Sequence, residues 1–324
     1  MTVILTGAAG FIGFHVARAL LERGERVVGI DDCNSYYDVG LKEARLALAA
    51  EFPGFAFHRL DITDREAVLA LFANQSEARY VVHLAAQAGV RHALVDPYAY
   101  VASNLAGHLV ILEAARRLPG LVHLLYASSS SVYGANNRLP FSESDRVDQP
   151  ISLYAATKRG AELISASYAH QFSLPQTGLR FFTVYGPWGR PDMAYYGFAR
   201  AIVEGRRITL FDGGRLKRDF TYIDDIVAGV LGALERSPQG HPPHRVLNIG
   251  NHRSEPVSML VTLLERSLGR AAIVQSAPRP ASEVPETFAS IEAIVALTGF
   301  APTTPLALGI PRFVDWFRGF HGIG

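Results

Sequence analysis

Tyr154 and Lys158 lie four residues apart in Tyr-Ala-Ala-Thr-Lys, a spacing that puts a phenol and an ammonium on one face of a helix. A phenol of ordinary pKa, about 10, is a poor base at neutral pH. A neighbouring ammonium favours the phenolate. Lowering the pKa by roughly 3 units takes about 4 kcal/mol, within reach of two cations in a partly dry cleft, and would make Tyr154 an acid–base catalyst. Upstream, Ala127-Ser128-Ser129-Ser130-Ser131-Val132-Tyr133-Gly134 carries a run of hydroxyls that is unusual for a core and offers a polar substrate neutral hydrogen-bond partners. A third constellation is Thr6-Gly7-Ala8-Ala9-Gly10-Phe11-Ile12-Gly13. Glycines there allow a tight turn, close approach of backbone to a diphosphate, and close packing of helix on strand. The helix that follows offers free N–H groups and a partial positive charge. Asp31, with Asp32 beside it, ends the next apolar run. A carboxylate at that place accepts hydrogen bonds from an adenosine ribose diol and repels a 2′-phosphate, so NAD is expected in preference to NADP. Asp61-Ile62 stands where an adenine would be met, although Asp61 could equally cap the helix that starts near Arg65.

These residues need a frame. Short apolar runs at 3–5, 26–30, 56–60, 80–84, 122–127 and 178–183 read as strands, and helical patterns at 12–21, 41–51, 65–73, 98–117 and 151–171 separate them. Strands alternating with helices imply right-handed crossovers and a doubly wound parallel sheet, an α/β fold of Rossmann type. Beyond about 185, short strands at 208–211, 220–223 and 246–249 mix with helices near 192–204, 224–235, 256–267 and 305–318. The expected division is a dinucleotide-binding domain over 1–183, joined by parts of 224–250, and a smaller C-terminal substrate-binding lobe over 184–324.

Composition narrows the class. Lys and Arg number 31 against 30 Asp and Glu, a formal net charge of +1 that gives no support to nucleic-acid binding. The single cysteine, Cys33, cannot make an intramolecular disulfide, and the 11 histidines show no metal-ligand spacing, so no metal is expected. No apolar run reaches the roughly 18 residues of a membrane span. These features fit a cytoplasmic enzyme.

The glycine turn, the serine segment ending Val132-Tyr133-Gly134, and Tyr-x-x-x-Lys beyond it together resemble the extended short-chain dehydrogenase/reductase family over essentially the whole chain. Gln87-Ala-Gly-Val-Arg91, the stretch Arg180 to Met193 and Lys217-Arg-Asp-Phe-Thr-Tyr-Ile-Asp-Asp225 are similar to that family's UDP-glucuronate 4-epimerases. The resemblance implies NAD-dependent inversion at C4 of a UDP-uronic acid through a 4-keto intermediate. It makes Tyr154 the base, Lys158 its partner on the nicotinamide ribose, and Ser129 the catalytic hydroxyl. It places Gly7, Gly10, Phe11, Ile12, Gly13, Asp31, Asp32, Asn34, Asp61, Ile62, Leu84, Ala85 and Ala86 around NAD. Ser130, Ser131, Thr183, Asn104 and Arg190 fall near the sugar or its diphosphate. Phe211, Arg218 and Arg279 complete the nucleotide side. Arg91, read from its charge alone, could reach an anionic substrate or equally form a surface salt bridge. Where the family usually has Gly-Asp in a late loop, this chain has Ser282-Glu283. Homodimers formed through the helices of Asn104 and Tyr154 are common among such proteins. A UDP-glucose/galactose 4-epimerase is the nearest alternative, and a non-catalytic NAD sensor the alternative of another class. Dehydratases and decarboxylases of the family place an acid directly after the catalytic hydroxyl, where this chain has Ser130 and Ser131.

Overall fold

The structure, a computed structural model, describes residues 1–280 and 283–323. Seven short runs, the central ones rich in valine, isoleucine and leucine, form one sheet: β1 (Thr2–Thr6), β2 (Arg26–Asp31), β3 (Phe55–Arg59), β4 (Ala78–His83), β5 (His123–Ser129), β6 (Gln176–Phe181) and β7 (His244–Ile249). Their order is β7-β6-β5-β4-β1-β2-β3, and every neighbouring pair is parallel. Alternation of side chains explains why both faces need cover. Val3 and Leu5 point into a cluster closed by the helices Phe11–Glu22 and Ile223–Leu234, whereas Ile4 points into one closed by Arg65–Ala73 and His108–Ala115.

After β1 the chain winds outward through β2 and β3, then returns to lay β4, β5 and β6 on the other side of β1. The carboxyl ends of β1 and β4 therefore flank the reversal point, the crevice where ligands of such sheets bind. The expected strand 178–183 is interrupted. Phe182 donates its N–H to Ile249 O, and Thr183 donates to Asp219 O. From there Thr183–Tyr185 pairs with Phe220–Tyr222 in a separate two-stranded sheet. The break comes where the chain changes partner.

The expected helix 98–117 is also broken: Pro97–Val101 and His108–Ala115 flank a π-helical segment, Ala102–Gly107, that carries Asn104. Such wide turns often sit at functional places. Two elements had no clear sequence signal. Ile273–Ala277 pairs in parallel with Arg207–Phe211, and Glu292–Thr298 forms a short helix. Among the described residues, no helix is long and apolar enough to cross a membrane.

Candidate active site

The glycine turn is dictated by space. Gly7 has φ +76°, and a Cβ added there would meet Ala85 N at 2.7 Å; one added at Gly13 would meet Gly7 O at 1.9 Å. Thr6 fixes the facing strand end, its carbonyl accepting from Leu84 N at 3.1 Å and its Oγ1 from Ala85 N at 3.1 Å. Ala86 continues the same segment. Gly10, without a side chain, is the N-cap of the first helix, and no acid stands in its first turn. The opening N–H groups of that helix, around Phe11, Ile12 and Gly13, thus have neither a side-chain cap nor a resident charge against them.

Asp31 ends β2 nearly buried, its Oδ2 accepting from Ala9 N at 3.1 Å and its Oδ1 from Cys33 N at 2.9 Å. Burial raises its pKa, and the Cys33 N–H and Lys42 oppose that rise. Each oxygen retains a lone pair for a further donor. Asp32 instead accepts from Asn34 N and Nδ2 at the surface. Of the two roles open to Asp61, capping is not the one realised: Asp64 caps the helix Arg65–Ala73 through Ala67 N, and exposed Asp61 accepts from Thr63 N at 2.8 Å in a local turn. Ile62 is buried against the Gly107 position.

Tyr154 opens the helix Leu153–Phe172, capped by Ser152, and Lys158 follows one turn later. Ser129, the last residue of β5, is itself a cap; its Oγ accepts from Ser131 N and donates to Ser131 Oγ, both at 3.1 Å. Ser130 and Ser131 are half-buried at the same sheet end. Ser128 is the exception to a run expected outside the core, because it is buried and donates to Glu162 Oε1 at 2.6 Å. Glu162 stands two turns below Tyr154 and receives Arg180 on both oxygens, at 2.8 and 2.9 Å. These bonds tie the helix Leu153–Phe172 to β5 and β6.

The expectation is that Lys158 and a positively charged nicotinamide together lower the Tyr154 phenol; in the protein on its own, burial acts in the opposite sense. Burial raises the Tyr154 pKa, with the Ser129 hydroxyl and Arg190 opposing and Asp192 adding to the rise. Burial, and then Arg190, push Lys158 down to about 8. Its ammonium donates to Ala127 O at 2.9 Å. For Tyr154, desolvation of the phenolate is the largest of these effects.

Asn104, predicted beside the substrate, is buried, with its amide committed to Gln87 N and O at 2.8 and 3.0 Å and to Thr157 Oγ1 at 3.1 Å. It locks the segment after β4 to the helix Leu153–Phe172. Gln87, the first residue of the Gln87–Arg91 motif, is buried, and among the described residues its Nε2 has no hydrogen-bond partner. On the outer side, Arg190 grips Asp192 through Nε at 3.0 Å and Nη2 at 2.6 Å, and Tyr36 OH donates to the same carboxylate at 3.0 Å. Arg91 and Arg218 converge on one carboxylate, that of Glu283, at 3.0 and 2.7 Å, and the Arg91 guanidinium lies 5.1 Å above the Phe211 ring. Arg279 donates to Glu283 O at 3.2 Å. Of the Ser282-Glu283 departure, Ser282 lies outside the described residues. Thr183 is half-buried on the strand paired with Phe220–Tyr222.

The family described as NAD dependent epimerase/dehydratase matches residues 3–250. A probable UDP-glucuronate 4-epimerase of Rhizobium meliloti (strain 1021) is 45% identical, with 98% of this chain and 97% of the relative covered. UDP-glucuronate 4-epimerase 3 of Arabidopsis thaliana is 47% identical over 100% of this chain and 78% of its own. The crystal structure of UDP-glucuronic acid 4-epimerase from Bacillus cereus in complex with UDP-glucuronic acid and NAD superposes with a TM-score of 0.91 at 33% identity, covering 99% of this chain and all of that one.

Proposed function

The chain belongs to the NAD dependent epimerase/dehydratase family, and from that premise we propose that it inverts C4 of UDP-glucuronate to give UDP-galacturonate. The observation that carries the reading is the meeting of Tyr154, Lys158 and Ser129 at the carboxyl end of β5, beside the crevice between β1 and β4. The cradle fits a dinucleotide. Gly7 and Gly13 have no room for a side chain, and the uncapped helix start and the Asp31 carboxylate complement a diphosphate and a ribose diol respectively. NAD would rest on Gly7, Gly10, Phe11, Ile12 and Gly13, with Asp31, Asp32, Asn34, Asp61 and Ile62 on the adenosine side and Leu84, Ala85 and Ala86 along the crevice. Bound NAD would supply the acceptor, and then the donor, of the C4 hydride.

The chain's own residues move the proton. Tyr154, as phenolate, takes the proton of the sugar 4-hydroxyl while Ser129 holds that oxygen. Once the flat 4-keto sugar has turned its other face, Tyr154 returns the proton. The 4-keto uronate is a β-keto acid and loses CO₂ when its carboxylate bond aligns with the carbonyl. Ser130, Ser131 and Thr183 are uncharged donors that would hold the carboxylate out of that alignment. Arg91, Arg190 and Arg218 would receive the diphosphate, and the shared hold of Arg91 and Arg218 on the Glu283 carboxylate supports an anion site there. Phe211 and Arg279 would border the nucleoside, and Asn104 would position rather than touch.

The division into a cofactor domain over 1–183 with parts of 224–250 and a substrate lobe over 184–324 belongs to the same reading. So does a cytoplasmic homodimer. Leu94, Tyr98 and Leu163, 85%, 83% and 55% exposed on the Asn104 and Tyr154 helical region, support that dimer. The test is to incubate purified protein with UDP-glucuronate, without added cofactor, and resolve the products. UDP-galacturonate supports the reading; turnover of UDP-glucose alone, or a pentose product, overturns it.

A further inference from the structure

Arg45, on the helix Val39–Ala50, is 0% exposed, yet no carboxylate among the described residues comes within 4.0 Å of it. Its donors go to neutral oxygens. Nη1 donates to Ala9 O and to Tyr37 OH, each at 2.8 Å. Nε and Nη2 donate to Trp188 O at 3.1 and 2.6 Å, and Nη2 also to Gly189 O at 3.1 Å. Ala9, inside the glycine turn, is thus gripped at both ends, its N–H by Asp31 and its carbonyl by Arg45. Asp31 has Lys42 as its own cationic neighbour. Carbonyl dipoles satisfy the guanidinium's geometry, but they leave a buried charge without a counter-charge, a costly arrangement unless something else supplies one.

We propose that Arg45 is a positioning residue for the dinucleotide. Its unmatched charge, held against the phosphate turn, is answered when the diphosphate of NAD settles there. The same guanidinium fixes Trp188–Gly189, and hence the approach of Arg190, to that turn. The inference rests on the NAD reading above and adds to it a coupling between cofactor and sugar-nucleotide sides. Two features of the loop make that coupling rigid. Trp188 has φ +60°, and a Cβ at Gly189 would meet Tyr195 OH at 1.7 Å, so this segment has one shape to keep.

The experiment compares wild type, Arg45→Met and Arg45→Lys, each stripped of nucleotide and each reloaded with NAD, by melting temperature, NAD affinity and KM for UDP-glucuronate. Arg45→Met is expected to weaken NAD about tenfold or more and to lower the melting temperature of the loaded protein more than that of the stripped one. Arg45→Lys keeps the charge but not the planar fork, so it retains most NAD affinity while KM for the sugar nucleotide rises. NAD affinity within about twofold of wild type in Arg45→Met, with equal melting losses in both states, overturns the proposal. Should Arg45→Met fail to fold, Arg45→Lys decides: weak NAD binding, or an unchanged KM, overturns it. NAD binding and melting are read without sugar turnover. Failure here therefore leaves the epimerase reading intact, and an inert wild type that binds NAD tightly defeats that reading alone.

Discussion

Lys158 rests its ammonium on the main-chain carbonyl of Ala127, 2.9 Å away at the end of β5. Burial has already brought this ammonium down to about 8. As pH climbs through about 8 the free enzyme loses that charge, and the phenolate of Tyr154, disfavoured by burial, loses support. The kcat/KM profile should fall on the alkaline side with an apparent pKa near 8, and the limb should move upward in Lys158→Arg. A flat profile to pH 10 would contradict this. For stability the sign is opposite. The folded chain holds this proton less tightly than the unfolded chain, so the penalty is present below about 8 and is relieved as pH rises toward the model-peptide value of about 10.4.

Tyr154→Phe removes the proton carrier while keeping the ring that stands edge-on to Tyr100. Turnover should drop by roughly 10²–10⁴-fold with the NAD content of the purified protein unchanged. Product formation against bound nucleotide, measured on one sample, checks both halves.

Gly13→Ala forces a Cβ to 1.9 Å from Gly7 O, so the turn must open. The variant should purify without nucleotide and need added NAD for any turnover. Retention of NAD through dialysis at the wild-type level would show that the turn does not hold the diphosphate.

Glu162→Gln strips the partner from buried Arg180, which also reaches Tyr133 OH at 3.0 Å. Removing one member of such a pair costs about 3–5 kcal/mol, to be read by denaturant unfolding. Burial alone would raise the Glu162 pKa, but the Arg180 hydrogen bonds and charge bring it below the usual value. Its contribution is therefore present above the ordinary glutamate range and lost as pH falls below it.

Glu283→Gln frees Arg91 and Arg218 from a carboxylate that competes with an incoming diphosphate. Because the site is partly solvated, the gain is modest, a KM for UDP-glucuronate lowered by roughly 2- to 5-fold. A raised KM would mean that Glu283 helps to build the site.

What was legible in the sequence is what short spacing encodes. Gly7, Gly10 and Gly13, the Tyr154–Lys158 pair and the hydroxyls ahead of Tyr133 each sit within one turn or one helix, so local geometry alone brings them together. Arg45 and Gln87 escaped because their meaning comes from partners far along the chain, such as Trp188 for the former. Asp64, not Asp61, caps its helix for a local reason that composition could not rank, since both are aspartates just ahead of the same pattern. The upward pull of burial on the phenol was not legible because residue spacing counts charges, while the cost of drying them depends on the finished cleft.

The place of β7 has a consequence for how the chain can be cut or synthesised. It is one of the sheet's two edge strands, hydrogen-bonded along β6 from His244↔Gln176 to Ile249↔Phe181. A fragment ending near residue 183 would leave β6 as a bare edge of unpaired amides and carbonyls, a template for sticking to other chains. On a ribosome the nascent sheet would likewise wait for more than sixty further residues before its border is sealed.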